Sequence, residues 1–89
     1  MRSFSRSSQF KKDVRRMDRR GKDLQKLRRV LDLLIDAKPL PPELKDHPLR
    51  GEFAGSRDCH LEPDWVLIYS LEKDHVRFER TGTHSDLFQ

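Results

Sequence analysis

Four side chains in the second half of this 89-residue chain could move a proton: His47, His60, Asp64 and His84. Histidine suits such work because its side chain titrates close to working pH. Three imidazoles and a carboxylate allow two chemistries. In one, no metal is involved: one imidazole takes a proton and another gives one. In the other, zinc is held by three imidazoles, or by imidazoles with the carboxylate or Cys59. The spacing matches no compact metal motif, so acid/base chemistry is the stronger expectation and no cofactor is called for. The fourth histidine, His75, adjoins the Lys73-Asp74 turn and is assigned to the surface. Cys59 adjoins His60, but strand neighbours point to opposite faces, so the two form no thiolate–imidazole couple and Cys59 is expected in the core.

These residues need a scaffold. Trp65 to Tyr69 is a short β-branched and aromatic run, as expected of a strand buried on both faces. It is preceded by a strand over Arg57–Glu62, in which Asp58, His60 and Glu62 alternate onto one face. Trp65–Leu71 and His75–Thr81 follow as further strands, with Val76 and Phe78 sharing a face and Gly82 ending the last. Gly51 and Gly55 bracket a short strand at Glu52–Ala54. His84–Gln89 is a tail with at most one helical turn. Pro39, Pro41, Pro42 and Pro48 make residues 38–48 a stiff connection that delivers His47.

Upstream, Ser3–Arg6 reads as a lead-in edge strand. A helix capped by Ser7 or Ser8 carries Phe10, Val14 and Met17 on one face, with Arg15, Arg16, Arg19 and Arg20 among its outward cations. Gly21 turns the chain into a second helix, about Lys22–Ala37, with a stripe of Leu24, Leu27, Leu31 and Leu34 that ends before Pro39. The expected architecture is α+β, one domain over residues 1–89. An antiparallel helical hairpin packs on one face of a mainly antiparallel four- to five-stranded sheet, and the other face is left for function.

Composition narrows the classes. Charged residues make up 38% and apolar residues 34%, so the core is modest. No apolar run approaches the roughly 20 residues of a membrane span, and the first residues lack the apolar stretch of a signal peptide. A lone cysteine fits a reducing cytoplasm. The net charge of +4 hides an asymmetry: residues 1–30 hold 12 Lys/Arg against 3 Asp, whereas residues 31–89 hold 7 against 12 Asp/Glu. Such a basic half attracts polyanions, nucleic acid above all.

Several blocks together carry a resemblance: Lys45-Asp46-His47-Pro48-Leu49, Arg57-Asp58-Cys59-His60, Pro63-Asp64-Trp65-Val66-Leu67-Ile68-Tyr69, and Phe78-Glu79-Arg80-Thr81-Gly82-Thr83-His84 followed by Leu87-Phe88. In order and content they resemble the YafQ branch of the RelE/ParE toxin superfamily, over nearly the whole chain. The resemblance implies a toxin of a bacterial type II toxin–antitoxin pair. It would be a ribosome-dependent endoribonuclease that cuts mRNA in the decoding site and is neutralised by a cognate antitoxin protein. It also implies that His47, His60, Asp64 and His84 form the active site, with His84 as general acid, and that Trp65 and Phe88 lie near the message.

RNA supplies its own nucleophile, the ribose 2′-OH. The protein must supply a base, an acid for the leaving 5′-oxygen and a cation for the phosphoryl oxygens. His47, His60 and Asp64 remain alternatives for the base. Arg80 is the nearest arginine for the phosphate, although a regular strand would turn it to the face of Val76 and Phe78. Two other functions compete: a non-enzymatic toxin of the same superfamily that blocks gyrase, and a plain RNA- or partner-binding module.

Overall fold

The structure, a computed structural model, describes residues 1–88. The chain runs β1 (Ser3–Arg6), α1 (Ser8–Arg19), α2 (Leu24–Ile35), β2 (His47–Pro48), β3 (Arg57–Glu62), β4 (Trp65–Glu72), β5 (His75–Gly82) and α3 (His84–Phe88), with 3-10 turns at Pro42–Leu44 and Gly51–Phe53. The five strands lie in the order β1-β5-β4-β3-β2. Only β1 runs parallel to its neighbour β5; the other pairings are antiparallel.

Local chemistry starts each helix. The Ser7 side chain accepts from the Phe10 amide at 2.9 Å, and the Asp23 carboxylate accepts from the Gln25 amide at 3.0 Å. Each satisfies an amide that the first turn leaves unpaired. Gly21, at φ +81°, makes the tight reversal between the helices. Phe10 and Met17 of α1 and Leu27, Val30 and Leu34 of α2 pack on Cys59, Trp65, Leu67, Tyr69, Val76 and Phe78 of the sheet. Val66 and Ile68 point the other way, beneath Leu87 of α3, Leu49 and Phe53. Strand β4 is therefore buried on both faces.

Three local expectations change. Glu52–Ala54 is not a strand: the chain turns in 3-10 geometry at Gly51–Phe53, and Phe53 is drawn onto Val66 and Ile68. The fifth strand forms instead at His47–Pro48, where a proline is tolerated on a sheet edge because its missing N–H has no ladder partner to serve. Glu62 leaves the face of Asp58 and His60, because the register slips between His60 and Glu62 and sets Glu62 opposite Trp65. There it pairs with Lys22 and Lys26 at 2.8 and 2.9 Å, on the helix side. A second slip in β5 pairs Tyr69 with Phe78 but Ile68 with Arg80, leaving Glu79 as the extra residue.

Candidate active site

Asp58 and His60 alternate on the face of β3 away from α1 and α2, while Cys59 points into the core between them. Burial pushes the Cys59 thiol up to about 12, which keeps it protonated and inert. Pairing of β2 with β3 sets His47 directly opposite Asp58. The residue before His47 is anchored too, since Asp46 accepts from the Tyr69 hydroxyl and pairs with Arg57 at 3.1 Å.

His84 arrives from the other side. The tight Pro63-Asp64 turn between β3 and β4 places Asp64 beside it. The Asp64 carboxylate accepts from the His84 amide at 2.9 Å and from its Nδ1 at 2.7 Å. Those two bonds, the backbone one foremost, hold the Asp64 carboxyl below its ordinary range. With Nδ1 committed to Asp64, Nε2 is the nitrogen left to meet a substrate.

The imidazoles form a row. The rings of His47 and His60 are 6.0 Å apart, and those of His60 and His84 are 5.5 Å apart. The row continues through Phe88, 5.9 Å from His84, to Phe53, 5.8 Å further on. A depression of about 480 Å³ borders it, lined by His60, His84, Lys45, Glu43, Leu44 and the Leu61–Pro63 segment.

Restraint differs along the row. His47 Nδ1 lies 2.8 Å from the Lys45 carbonyl, which can only accept, so that nitrogen carries hydrogen. His47 Nε2 lies 3.0 Å from Asp58 Oδ1 in an ion-pair contact, and that buried oxygen has no aligned hydrogen-bond donor. Burial raises the Asp58 carboxyl above its usual range, and the three nearby histidines pull it back. His60 is half-buried and makes no side-chain hydrogen bond among the described residues.

The four acid/base candidates His47, His60, Asp64 and His84 are thus brought together, and Phe88 joins them as a 42% exposed ring. Trp65 does not. It is wholly buried beneath α1 and α2, with Nε1 donating to Thr81 Oγ1 at 3.0 Å, and offers no face for a base. Arg80 does leave the face of Phe78, through the bulge at Glu79, but its guanidinium is taken by Asp13 of α1 at 2.7 Å. Two residues of the site escaped sequence reasoning. Asp58 was legible only as one member of an alternating polar face. Lys45, two residues before His47, is an exposed cation on the same depression as His60 and His84. Among the described residues no three His, Cys, Asp or Glu side chains are placed to hold a metal ion.

A histidine–carboxylate row on the open side of a five-stranded sheet, backed by a helical hairpin, defines a small α+β domain of the RelE-like class. Comparison with known proteins narrows this further. The family described as bacterial toxin of type II toxin–antitoxin system, YafQ, matches residues 2–89, and the chain belongs to that family. It is 51% identical to the mRNA interferase toxin YafQ of Escherichia coli K12 over 88 residues, 98% of this chain and 96% of that protein. The crystal structure of YafQ from E. coli BL21(DE3) superposes with a TM-score of 0.95 at 49% identity, covering both chains fully. The toxin in an E. coli DinJ–YafQ complex superposes at 0.92 with 50% identity, again over the full length of both chains. The gyrase-blocking alternative finds no support among these relatives.

Proposed function

We propose that this protein is an mRNA interferase, the toxin of a toxin–antitoxin pair, and that it cleaves message on the ribosome with its histidine row. The observation that carries the mechanism is the edge-to-face pair His60 and His84, with ring centroids 5.5 Å apart and Nδ1 of His84 held by Asp64. A phosphodiester laid across the exposed edges of the two rings meets a free imidazole at one end and an oriented one at the other.

The roles follow from the restraints. His60 has no competing partner and takes the 2′-OH proton. The 2′-oxygen attacks the phosphorus and the bond to the 5′-oxygen breaks. His84, doubly protonated, gives its Nε2 proton to that 5′-oxygen, while Asp64 keeps the ring in the right tautomer and orientation. His47, with Nδ1 held by the Lys45 carbonyl and Nε2 in contact with Asp58, is less free than His60 to act as base, and Lys45 brings the positive charge for the phosphoryl oxygens. Arg80 is demoted from that role by Asp13. Phe88 offers a stacking surface for a base next to the cut. A cognate antitoxin, in the manner of the DinJ–YafQ complex, is the expected protein partner, and the cytoplasm is the expected compartment of an activity that needs the ribosome.

Product ends test this. Cleavage of ribosome-bound message should leave a 2′,3′-cyclic phosphate or 3′-phosphate upstream and a 5′-hydroxyl downstream. A 5′-phosphate downstream would overturn attack by the 2′-OH. Cleavage should also survive chelation of transition metals with magnesium held sufficient for intact ribosomes; loss on chelation and recovery with zinc would overturn the metal-free assignment.

A further inference from the structure

Helix α1 presents Asp13, Arg16 and Arg20 as a stripe at i, i+3 and i+7, directed at the segment that carries His84. Asp13, 1% exposed, accepts from Arg80 and from the Thr81 amide at 3.1 Å. Arg16 reaches Asp13 at 3.1 Å and Asp86 at 3.8 Å. Arg20 grips Asp86 with two parallel bonds, Nη1 to Oδ2 at 2.7 Å and Nη2 to Oδ1 at 3.2 Å. Asp86 closes the turn around His84: its Oδ2 accepts from the Thr83 amide at 2.9 Å, and Thr83 Oγ1 accepts from the Asp86 amide at 3.1 Å. Gly82 makes room, since a Cβ there would sit 2.9 Å from Asp86 Oδ2.

Resting on the reading of His84 as proton donor, we infer that Arg20 and Asp86 are positioning residues that set where the His84 backbone stands. Asp64 aims the ring; the Arg20–Asp86 pair holds its base. α3 has five residues, too few to keep a helical shape unaided, whereas α1 has 12 and is packed on the sheet. The fork geometry of a guanidinium fixes direction as well as distance, which a lysine would not do. An exposed ion pair adds little to stability, so the selective consequence of losing Arg20 is misplacement of the acid. Arg16 and Arg20 are accordingly withdrawn from the outward cations expected to meet the ribosome.

The test compares single-turnover cleavage of ribosome-bound message carrying either the natural 5′-oxygen or a 5′-thiolate leaving group, which needs no proton. Arg20→Gln should slow the oxygen substrate about 10- to 100-fold, the range for misplacing a reacting group by an ångström or less. On the sulfur substrate it should match wild type, as should His84→Ala. Asp86→Asn should behave alike, the double variant should be no slower than the slower single, and Arg20→Lys should fall between wild type and Arg20→Gln. Ribosome binding should be unchanged throughout. Equal slowing on both substrates, or a loss explained by weaker ribosome binding, would overturn the inference. If His84→Ala is rescued by sulfur and Arg20→Gln is not, the positioning claim alone fails. If His84→Ala itself is not rescued, the proton-donor reading fails and the inference falls with it. Should Arg20→Gln melt below the assay temperature, Asp86→Asn carries the same comparison, because it keeps the oxygen that accepts from Thr83.

Discussion

At the scale of single residues, the proposed mechanism rests on unequal restraint on similar groups. His84 is tied to Asp64, His47 is caught between a carbonyl and a buried carboxylate, and His60 stands free between them. Asp58 contributes orientation at the expense of stability, because folding buries a carboxyl that would rather be neutral. Its native pKa lies above its unfolded one, so charging it opposes folding once pH exceeds the ordinary carboxylate value of about 4. Asp58→Asn should therefore melt no lower than wild type at pH 7, and its cleavage rate should still drop about 10-fold or more as His47 loses its orientation. A clear fall in melting temperature together with normal cleavage would contradict both halves. Trp65 gives the opposite case. Trp65→Phe removes the bond to Thr81 and part of a core ring, at about 2 kcal/mol. Denaturant unfolding should record that loss, and cleavage per folded molecule should stay normal; a specific loss of RNA affinity would restore Trp65 to the RNA-binding surface.

At the scale of elements, two irregular strands decide which side chains reach the face that carries the histidines. Without the slip after His60, Glu62 would sit beside the imidazoles and add a negative charge where phosphate must come. Without Glu79 as an extra residue, Arg80 would stay on the helix-covered face of Phe78. The end of β5 is tighter still. Gly82→Ala would press a methyl into Asp86 and force the Thr83–Asp86 turn to shift. The expected cost is roughly 1–3 kcal/mol of stability, as for other overpacked sites, with a fall in cleavage beyond what the unfolded fraction explains. Thermal melting beside single-turnover kinetics on the same sample separates the two effects; unchanged kinetics would mean that the turn absorbs the methyl.

At the scale of the whole molecule, charge does two jobs. Lys11, Lys12, Arg15 and Arg19 remain exposed on α1 and have no salt-bridge partner among the described residues, so they are the α1 cations left to meet a polyanion under the proposed function. Reversing these four to glutamate should weaken ribosome association and lower its log–log salt slope by roughly one for every phosphate left without a cation. An unchanged slope would remove α1 from the interface. The carboxylates set the acid limit. Arg20 first, then the Thr83 amide, depress Asp86; Lys22 and Lys26 depress Glu62; His84 depresses Asp64. Each native pKa lies below its unfolded value, so the unfolded chain takes up protons first as pH falls. Melting temperature should decline as pH falls below about 4, and decline less steeply in Asp86→Asn. A profile with the same slope in that variant would leave Asp86 without a part in acid stability.

Patterns of period and punctuation made much of this fold readable in the chain. Helical spacing of Phe10, Val14 and Met17, the leucine stripe of α2, and the apolar run Trp65–Tyr69 announced a hairpin on a sheet, and the blocks around His47, His60, Asp64 and His84 announced the family. Those signals are local, because each element's own residues must satisfy its backbone and turn its apolar side inward. What escaped is not local. Whether Trp65 meets RNA or core, whether Glu62 and Arg80 follow strand parity, and whether Arg16 and Arg20 face solvent or Asp86 all depend on register and on neighbours far away in the chain. A one-residue slip in pairing turns a side chain to the other face without leaving any mark in composition. The same holds for Asp58 and Lys45, ordinary charged residues until the pairing of β2 with β3 and the turn before His47 bring them to the imidazoles.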